Sequence, residues 1–243
     1  MPAPVGFHCP ACVDQARRAV PAVRSPLGGV ARAQPHRATA ALIGANVVLY
    51  LATVVTDDRL VLDYGMFGAA VAAGEWWRLV TAPFLHAGLW HLGLNMFALW
   101  ILGGVLEPLL GRWRFVAVYL ISAVAGAVAS YAFGSPLVVS VGASGAVFGL
   151  LGAILVSLRR LNRDVSGVVV LLVINLGIGF VVPNIDWRAH LGGLLAGVVA
   201  TAAMLAVPRR HAVVGTLGAL AAVLTAVTAI AAWRTDQLLS ILG

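Results

Sequence analysis

The sequence predicts an all-α polytopic membrane protein on three observations: an apolar composition, seven apolar stretches of membrane-crossing length, and arginines gathered into alternate connecting segments. Of 243 residues, 61% are hydrophobic and 10% are charged, whereas soluble domains carry about 25% charged residues. A chain this poor in charge cannot cover itself with a hydrated surface, so lipid is its default solvent. A helix needs about 20 apolar residues to cross the hydrocarbon core. Charged or Pro/Gly-rich segments mark off the stretches 39–55, 88–106, 115–133, 141–158, 165–182, 189–207 and 212–232.

Residues 1–37 are polar, rich in Pro and Arg, and without the apolar run of a signal peptide. They are expected to form a disordered cytoplasmic tail, with the first span acting as an uncleaved signal anchor. Both cysteines lie here, in FHCPACV, which offers His8, Cys9 and Cys12 as metal ligands. Structural zinc needs four ligands and a CxxC supplies two. Two readings stay open: a free cysteine pair on a reducing face, or half of a zinc site in a longer chain for which Met1 is an internal start. The core itself is expected to need no metal or cofactor.

The net charge of +7 rests on 16 arginines, for the chain contains no lysine. With a cytoplasmic N-terminus, twelve arginines fall inside: Arg17, Arg18, Arg24, Arg32, Arg37, Arg112, Arg114, Arg159, Arg160, Arg163, Arg209 and Arg210. Arg59, Arg78, Arg188 and Arg234 fall outside, with six of the nine acids, Asp57, Asp58, Asp63, Glu75, Asp186 and Asp236. That distribution obeys the positive-inside rule at every loop pair but the first, whose outer loop is mixed, and sets the C-terminus outside. The basic balance therefore reports orientation and attraction to anionic lipid, and nucleic acid is excluded as a partner because no basic patch carries interleaved aromatics. The Arg and Ala bias without Lys points to the plasma membrane of a high-GC bacterium.

Polar residues inside spans are costly in lipid and mark functional candidates. The second span opens with HAGLWHLGLNMFALW, the fourth with VGASGAVFGLLG, and the sixth with DWRAHLGGLLAGVVA. A rise of about 1.5 Å per residue places His91 and Asn95 about 24 and 18 Å above Glu107, Ser144 about 22 Å above Arg159, and His190 about 27 Å above Pro208. All four residues thus share the outer half of the membrane on three different helices.

Peptide hydrolysis by a hydroxyl needs a base that takes its proton and later returns it to the leaving amine, and neutral His suits both steps. His190 is the candidate base for Ser144. The oxyanion of the tetrahedral intermediate needs donors already in place. His91 and Asn95, at i and i+4, share a helix face and can both donate. Ser144 begins a helix, where free N–H groups add anion stabilisation. Asp186 is four residues from His190 and reads as a surface residue, which predicts a dyad without an acidic third member. Gly145, Gly149 and Gly152 in the fourth span, with Gly193 and Gly197 in the sixth, let two backbones approach closely. Taken singly, Ser144 reads more readily as an interhelical hydrogen bonder, and His190 equally as a satisfied core histidine; the conjunction favours chemistry.

The ordered set HxxxN (His91, Asn95), GxSG (Gly142, Ser144, Gly145) and AHxxGxxxG (Ala189, His190, Gly193, Gly197) resembles the rhomboid proteases. The Trp77, Arg78 pair and GGxxExxxG (Gly103, Gly104, Glu107, Gly111) extend the likeness. The resemblance implies a six-helix catalytic core over 38–208, a seventh C-terminal helix in 209–243, and a Ser144–His190 dyad cleaving transmembrane substrates near the outer face. By the same analogy His91, Asn95, Gly142 and Ala143 stabilise oxyanion and substrate, and Trp77, Arg78, His86, Phe148 and the glycines give structural support. Phe148 stands where the family often has Tyr, keeping the ring and losing the hydroxyl.

Other classes fit less well. A retinal photoreceptor needs a Lys for its Schiff base, an α/β-hydrolase needs GxSxG where Ala146 stands here, and a zincin needs HExxH. The spans lack the broken, charged midplane of a transporter. The remaining rival is a catalytically silent rhomboid-like protein that binds membrane-protein clients. Substrate identity and oligomeric state are not encoded in any motif.

Overall fold

The computed structural model describes residues 2–3, 6–7, 9–19, 25–29, 36–183, 185–208 and 211–242. In chain order the helices are α1 (Pro10–Ala19), α2 (Arg37–Val55), α3 (Arg59–Tyr64), α4 (Gly68–Ala72), α5 (Arg78–Thr81), α6 (Leu89–Leu110), α7 (Arg112–Phe133), α8 (Ser144–Arg160), α9 (Ser166–Val181), α10 (Trp187–Ala206) and α11 (Ala212–Leu242). Without water to satisfy peptide groups, an apolar segment must bond its own backbone, and the helix does so. Gly111, at φ +89°, occupies the left-handed region that favours glycine and turns the chain directly from α6 into α7.

Among the described residues five helices are long and apolar enough to cross a membrane: α2, α6, α7, α10 and the 213–241 stretch of α11. The remaining two apolar stretches form shorter helices, α8 with 17 residues and α9 with 16. Composition counts apolar residues, whereas helix length depends on where the backbone starts to coil. Ahead of α8, Val139–Ser140 is extended and pairs antiparallel with Met66–Phe67. Helix α8 therefore starts late, at Ser144, and is about 25 Å long where α6 and α7 are about 33 Å.

Helix α7 is central, with 72% of its apolar window buried against 17% for α2 and 22% for α11. Helix α10 packs most extensively against α8 and α7. A Cβ on Gly193 would overlap the carbonyl of Gly145, and one on Gly197 the carbonyl of Gly149, so the α8 and α10 backbones touch. Lipid gives apolar helices no hydrophobic reason to associate, and close approach of small residues supplies the contact instead. Leu94, Phe97 and Trp100 on α6 stay exposed, as lipid-facing side chains do. Helix α11 joins the core through α10 and α7, where Tyr131 Oη and Thr235 Oγ1 share a 2.8 Å hydrogen bond.

The arginine-rich end is tied by Glu107. Its carboxylate accepts from the amides of Thr39 (2.9 Å) and Ala38 (3.1 Å) and from Thr39 Oγ1 (2.8 Å), and it pairs with Arg112 at 3.4 Å. A carboxylate from α6 thereby satisfies the first amides of α2, which no residue of α2 itself caps. Glu107→Ala is expected to strand those amides and lower stability by about 1–3 kcal/mol, read as a lower unfolding midpoint in detergent. An unchanged midpoint would show the cap to be dispensable.

Within residues 1–37, two described segments have defined structure. Pro10–Ala19 is helical, and Ser25–Gly29 docks on the α6–α7 corner: Ser25 Oγ donates to Leu109 O (2.6 Å), Gly29 N to Leu109 O (3.1 Å), and Arg114 Nη1 to Leu27 O (3.1 Å). Low hydrophobicity predicts disorder, but a short turn can borrow carbonyls and a buried arginine from the core. Arg24, Arg32, Arg209 and Arg210 lie outside the described residues.

Candidate active site

Ser144 is the first residue of α8, and its Oγ lies 2.9 Å from His190 Nε2 in the first turns of α10. For Nε2 to accept the hydroxyl proton, the neutral ring must carry its own proton on Nδ1. His190 Nδ1 is buried with no hydrogen-bond partner among the described residues. The ring is oriented by stacking instead: Phe148, one turn along α8 from Ser144, lies nearly parallel to it at 4.2 Å with planes 13° apart. That contact needs an aromatic face and no hydroxyl, which Phe148 supplies.

The segment before Ser144 is held in place from outside α8. Gly142 donates its N–H to Ala82 O (3.1 Å) and adopts φ +129°. A Cβ there would come within 2.7 Å of the His91 ring, so only glycine admits both the backbone conformation and the histidine. Ala87 N–H donates to His91 Nδ1 at 3.4 Å, which leaves the proton of a neutral His91 on Nε2, the nitrogen beside Gly142. One turn further, buried Asn95 spends one Nδ2 proton on His91 O (2.9 Å) and keeps a second. Ala143 is fully buried, and the first amides of α8 open beside Ser144 without intrahelical acceptors. Of the four polar residues placed at one depth by counting, Ser144 on α8 and His190 on α10 are in contact, His91 on α6 lies against the loop that delivers the serine, and Asn95 stands one turn along α6 from His91.

The family model of the Rhomboid domain matches residues 73–207, more than half of the chain. The chain belongs to the rhomboid family. It is 46% identical over 139 residues to Rhomboid protease GluP of Bacillus subtilis, covering 55% of this chain and 27% of that protein. It is 42% identical over 135 residues to RHOMBOID-like protein 5 of Arabidopsis thaliana (52% and 43%), and 32% identical over 135 residues to Rhomboid-type serine protease 2 of Emericella nidulans (52% and 26%). The chain spans less than half the length of each of these relatives. Its apolar helices and its family make this rhomboid an integral, multi-pass membrane protein.

Around the rhomboid site, Arg78 braces the segment between α2 and α6. It is buried, pairs with Glu75 at 2.6 Å, and donates Nη1 to Leu62 O (2.7 Å) and Gly65 O (2.9 Å). Trp77 does not share that burial. It is 40% exposed, with its ring edge-on to that of Trp76 at 6.5 Å. His86 is 1% exposed and meets the His91 ring edge-on at 5.2 Å.

Asp186 is the residue that sequence reasoning misplaced. Its Oδ1 accepts from Ala189 N (3.2 Å), capping α10, while Oδ2 accepts from Ser140 Oγ (2.8 Å) and from Ser130 Oγ. One carboxylate therefore joins α7, the extended approach to Ser144, and the turn of α10 that carries His190. The cap is readable in the sequence, since Asp begins DWRA at a helix start; its two serine partners are not. Asp186→Ala is expected to lower kcat up to about 100-fold through misplacement of the histidine, with KM little changed and Asp186→Asn recovering part of the loss. Equal kcat in all three proteins would reduce Asp186 to a helix cap.

Cys9 and Cys12 are exposed free thiols, and His8 lies outside the described residues. Among the described residues no group of three or more His, Cys, Asp or Glu is placed to hold a metal ion.

Proposed function

We propose that this rhomboid is an intramembrane serine endopeptidase that cleaves transmembrane protein substrates in or near their membrane-spanning segments. The observation that carries the reading is the 2.9 Å contact between Ser144 Oγ and His190 Nε2, made inside a membrane bundle where neither residue has another evident use. In this scheme His190 takes the Ser144 proton as Oγ attacks the scissile carbonyl. The oxyanion meets the second Asn95 proton, His91 Nε2–H and the first amides of α8. His190 then protonates the leaving amine, and water repeats the sequence on the acyl-enzyme. No acidic third member enters, since Asp186 is engaged with Ala189 and Ser140.

The catalytic core comprises α2, α6, α7, α8, α9 and α10, with α11 appended, the arginine-rich end cytoplasmic and the C-terminus outside in a bacterial plasma membrane. Helix α9 buries only Leu172 and Gly179, which supports a lateral route for a substrate helix past its loosely held flank. Purified protein in liposomes should cleave a model transmembrane substrate, and a fluorophosphonate should label Ser144. Failure of both across a substrate panel would instead favour a silent binder of membrane-protein clients. Asn95→Ala is expected to lower turnover about 10- to 1,000-fold, the scale of one lost oxyanion donor. Unchanged turnover would remove Asn95 from the site.

A further inference from the structure

At the arginine-rich end, remote from Ser144, a cavity of about 270 Å³ opens between the docked turn at residues 25–29, the start of α7 and the ends of α8 and α10. That is close to the lower range of small-ligand sites, about 300 Å³. Leu27, Met204 and Pro208 give it apolar walls, and its charged lining residues are Arg114 and Arg160, with no Asp or Glu among them.

Arg114 is buried, at 7% exposure. Among the described residues its guanidinium has one hydrogen-bond acceptor, Leu27 O at 3.1 Å, and its Nε has none. A guanidinium in such surroundings is costly without an anion. Among the described residues none supplies one. Glu107 is engaged with Ala38, Thr39 and Arg112, Asp164 is held by Ser166, Asp14 stands on exposed α1, and the positions outside the described residues contain no acid at all. Arg160, exposed at the last residue of α8, adds a second charge to the same lining.

We propose that this cavity is a phosphate-binding site that takes the headgroup of an anionic phospholipid. A guanidinium matches a phosphate in a two-point, charge-assisted contact. Basic pockets between helices at this level of a bilayer are where anionic headgroups are held. The apolar walls beside Arg114 suit the glycerol and first acyl carbons that follow a lipid phosphate, which a free phosphate ion would not use.

The test is native mass spectrometry and thermal unfolding of the detergent-purified protein with phosphatidylglycerol, phosphatidylcholine or inorganic phosphate. The variants are Arg160→Gln, Arg114→Gln and, as a control, the exposed Arg59→Gln at the opposite end. Phosphatidylglycerol should be retained in preference to phosphatidylcholine and raise the unfolding temperature. Arg160→Gln should weaken its apparent affinity about fivefold, the effect of one arginine near an anionic headgroup, and Arg114→Gln more. Arg59→Gln should leave it unchanged. Because Arg160 is exposed, its variant keeps the test valid if Arg114→Gln fails to fold. Equal retention of both lipids, or equal weakening by Arg59→Gln and Arg160→Gln, would overturn the site. Stabilisation by inorganic phosphate alone, without lipid preference, would overturn the lipid as its source.

Discussion

Ser144→Ala is expected to abolish cleavage of a transmembrane substrate, with turnover falling by at least about 10⁴-fold. Among the described residues its hydroxyl is the hydrogen-bond partner of His190 Nε2, and alanine offers nothing in its place to attack a carbonyl. His190→Ala should fall to a similar floor, and the double variant no further, because nucleophile and base act as one unit. The measurement is initial-rate cleavage in liposomes, with fluorophosphonate labelling as an independent readout of nucleophilicity. Both single variants should keep the wild-type unfolding midpoint within a small margin, which separates lost chemistry from lost fold. Cleavage by Ser144→Ala at the wild-type rate would remove the nucleophile assignment.

Gly193→Val should have the largest effect on the fold itself. A Cβ at this position would overlap the Gly145 carbonyl and approach Gly145 Cα at 2.9 Å, and both are backbone atoms that cannot rotate away. Overpacking a core costs about 1–3 kcal/mol when side chains can yield, so a backbone clash should cost about 3 kcal/mol or more. The helices must separate to relieve it, which also draws His190 from Ser144, since residue 193 is one turn from the base. Activity and unfolding midpoint should therefore fall together. Gly104→Ala is the matched control, because nothing lies within 4 Å of its Cβ position. A wild-type midpoint for Gly193→Val would mean that the α8–α10 contact is slack.

Much of the site is legible in the amino-acid sequence. His91, Asn95, Ser144 and His190 announce themselves because each is a polar residue in an apolar run, and because counting along helices gives depth. The glycines of α8 and α10 likewise imply close approach by their spacing. Trp77 and Arg78 pair as sequence neighbours, yet only the fold separates them: one is an exposed ring, the other a buried brace with three backbone or carboxylate partners. Glu107 stands out as an acid in an apolar helix, but its duty to the amides of α2 spans 68 residues of chain.

The sequence alone determined the solvent, the helical class and the family, because composition, apolar run length and motif spacing are properties local to a segment. Only the tertiary structure decided that seven apolar stretches become five long helices and two shorter ones, since the start of α8 depends on a strand pairing with a distant loop. It also decided that Asp186 binds Ser130 and Ser140, 56 and 46 residues away, and that Arg114 reaches Leu27 across 87. Hydrogen-bond partners and unpaired charges are set by which backbones meet across the bundle, and that meeting is written in no single stretch of the chain.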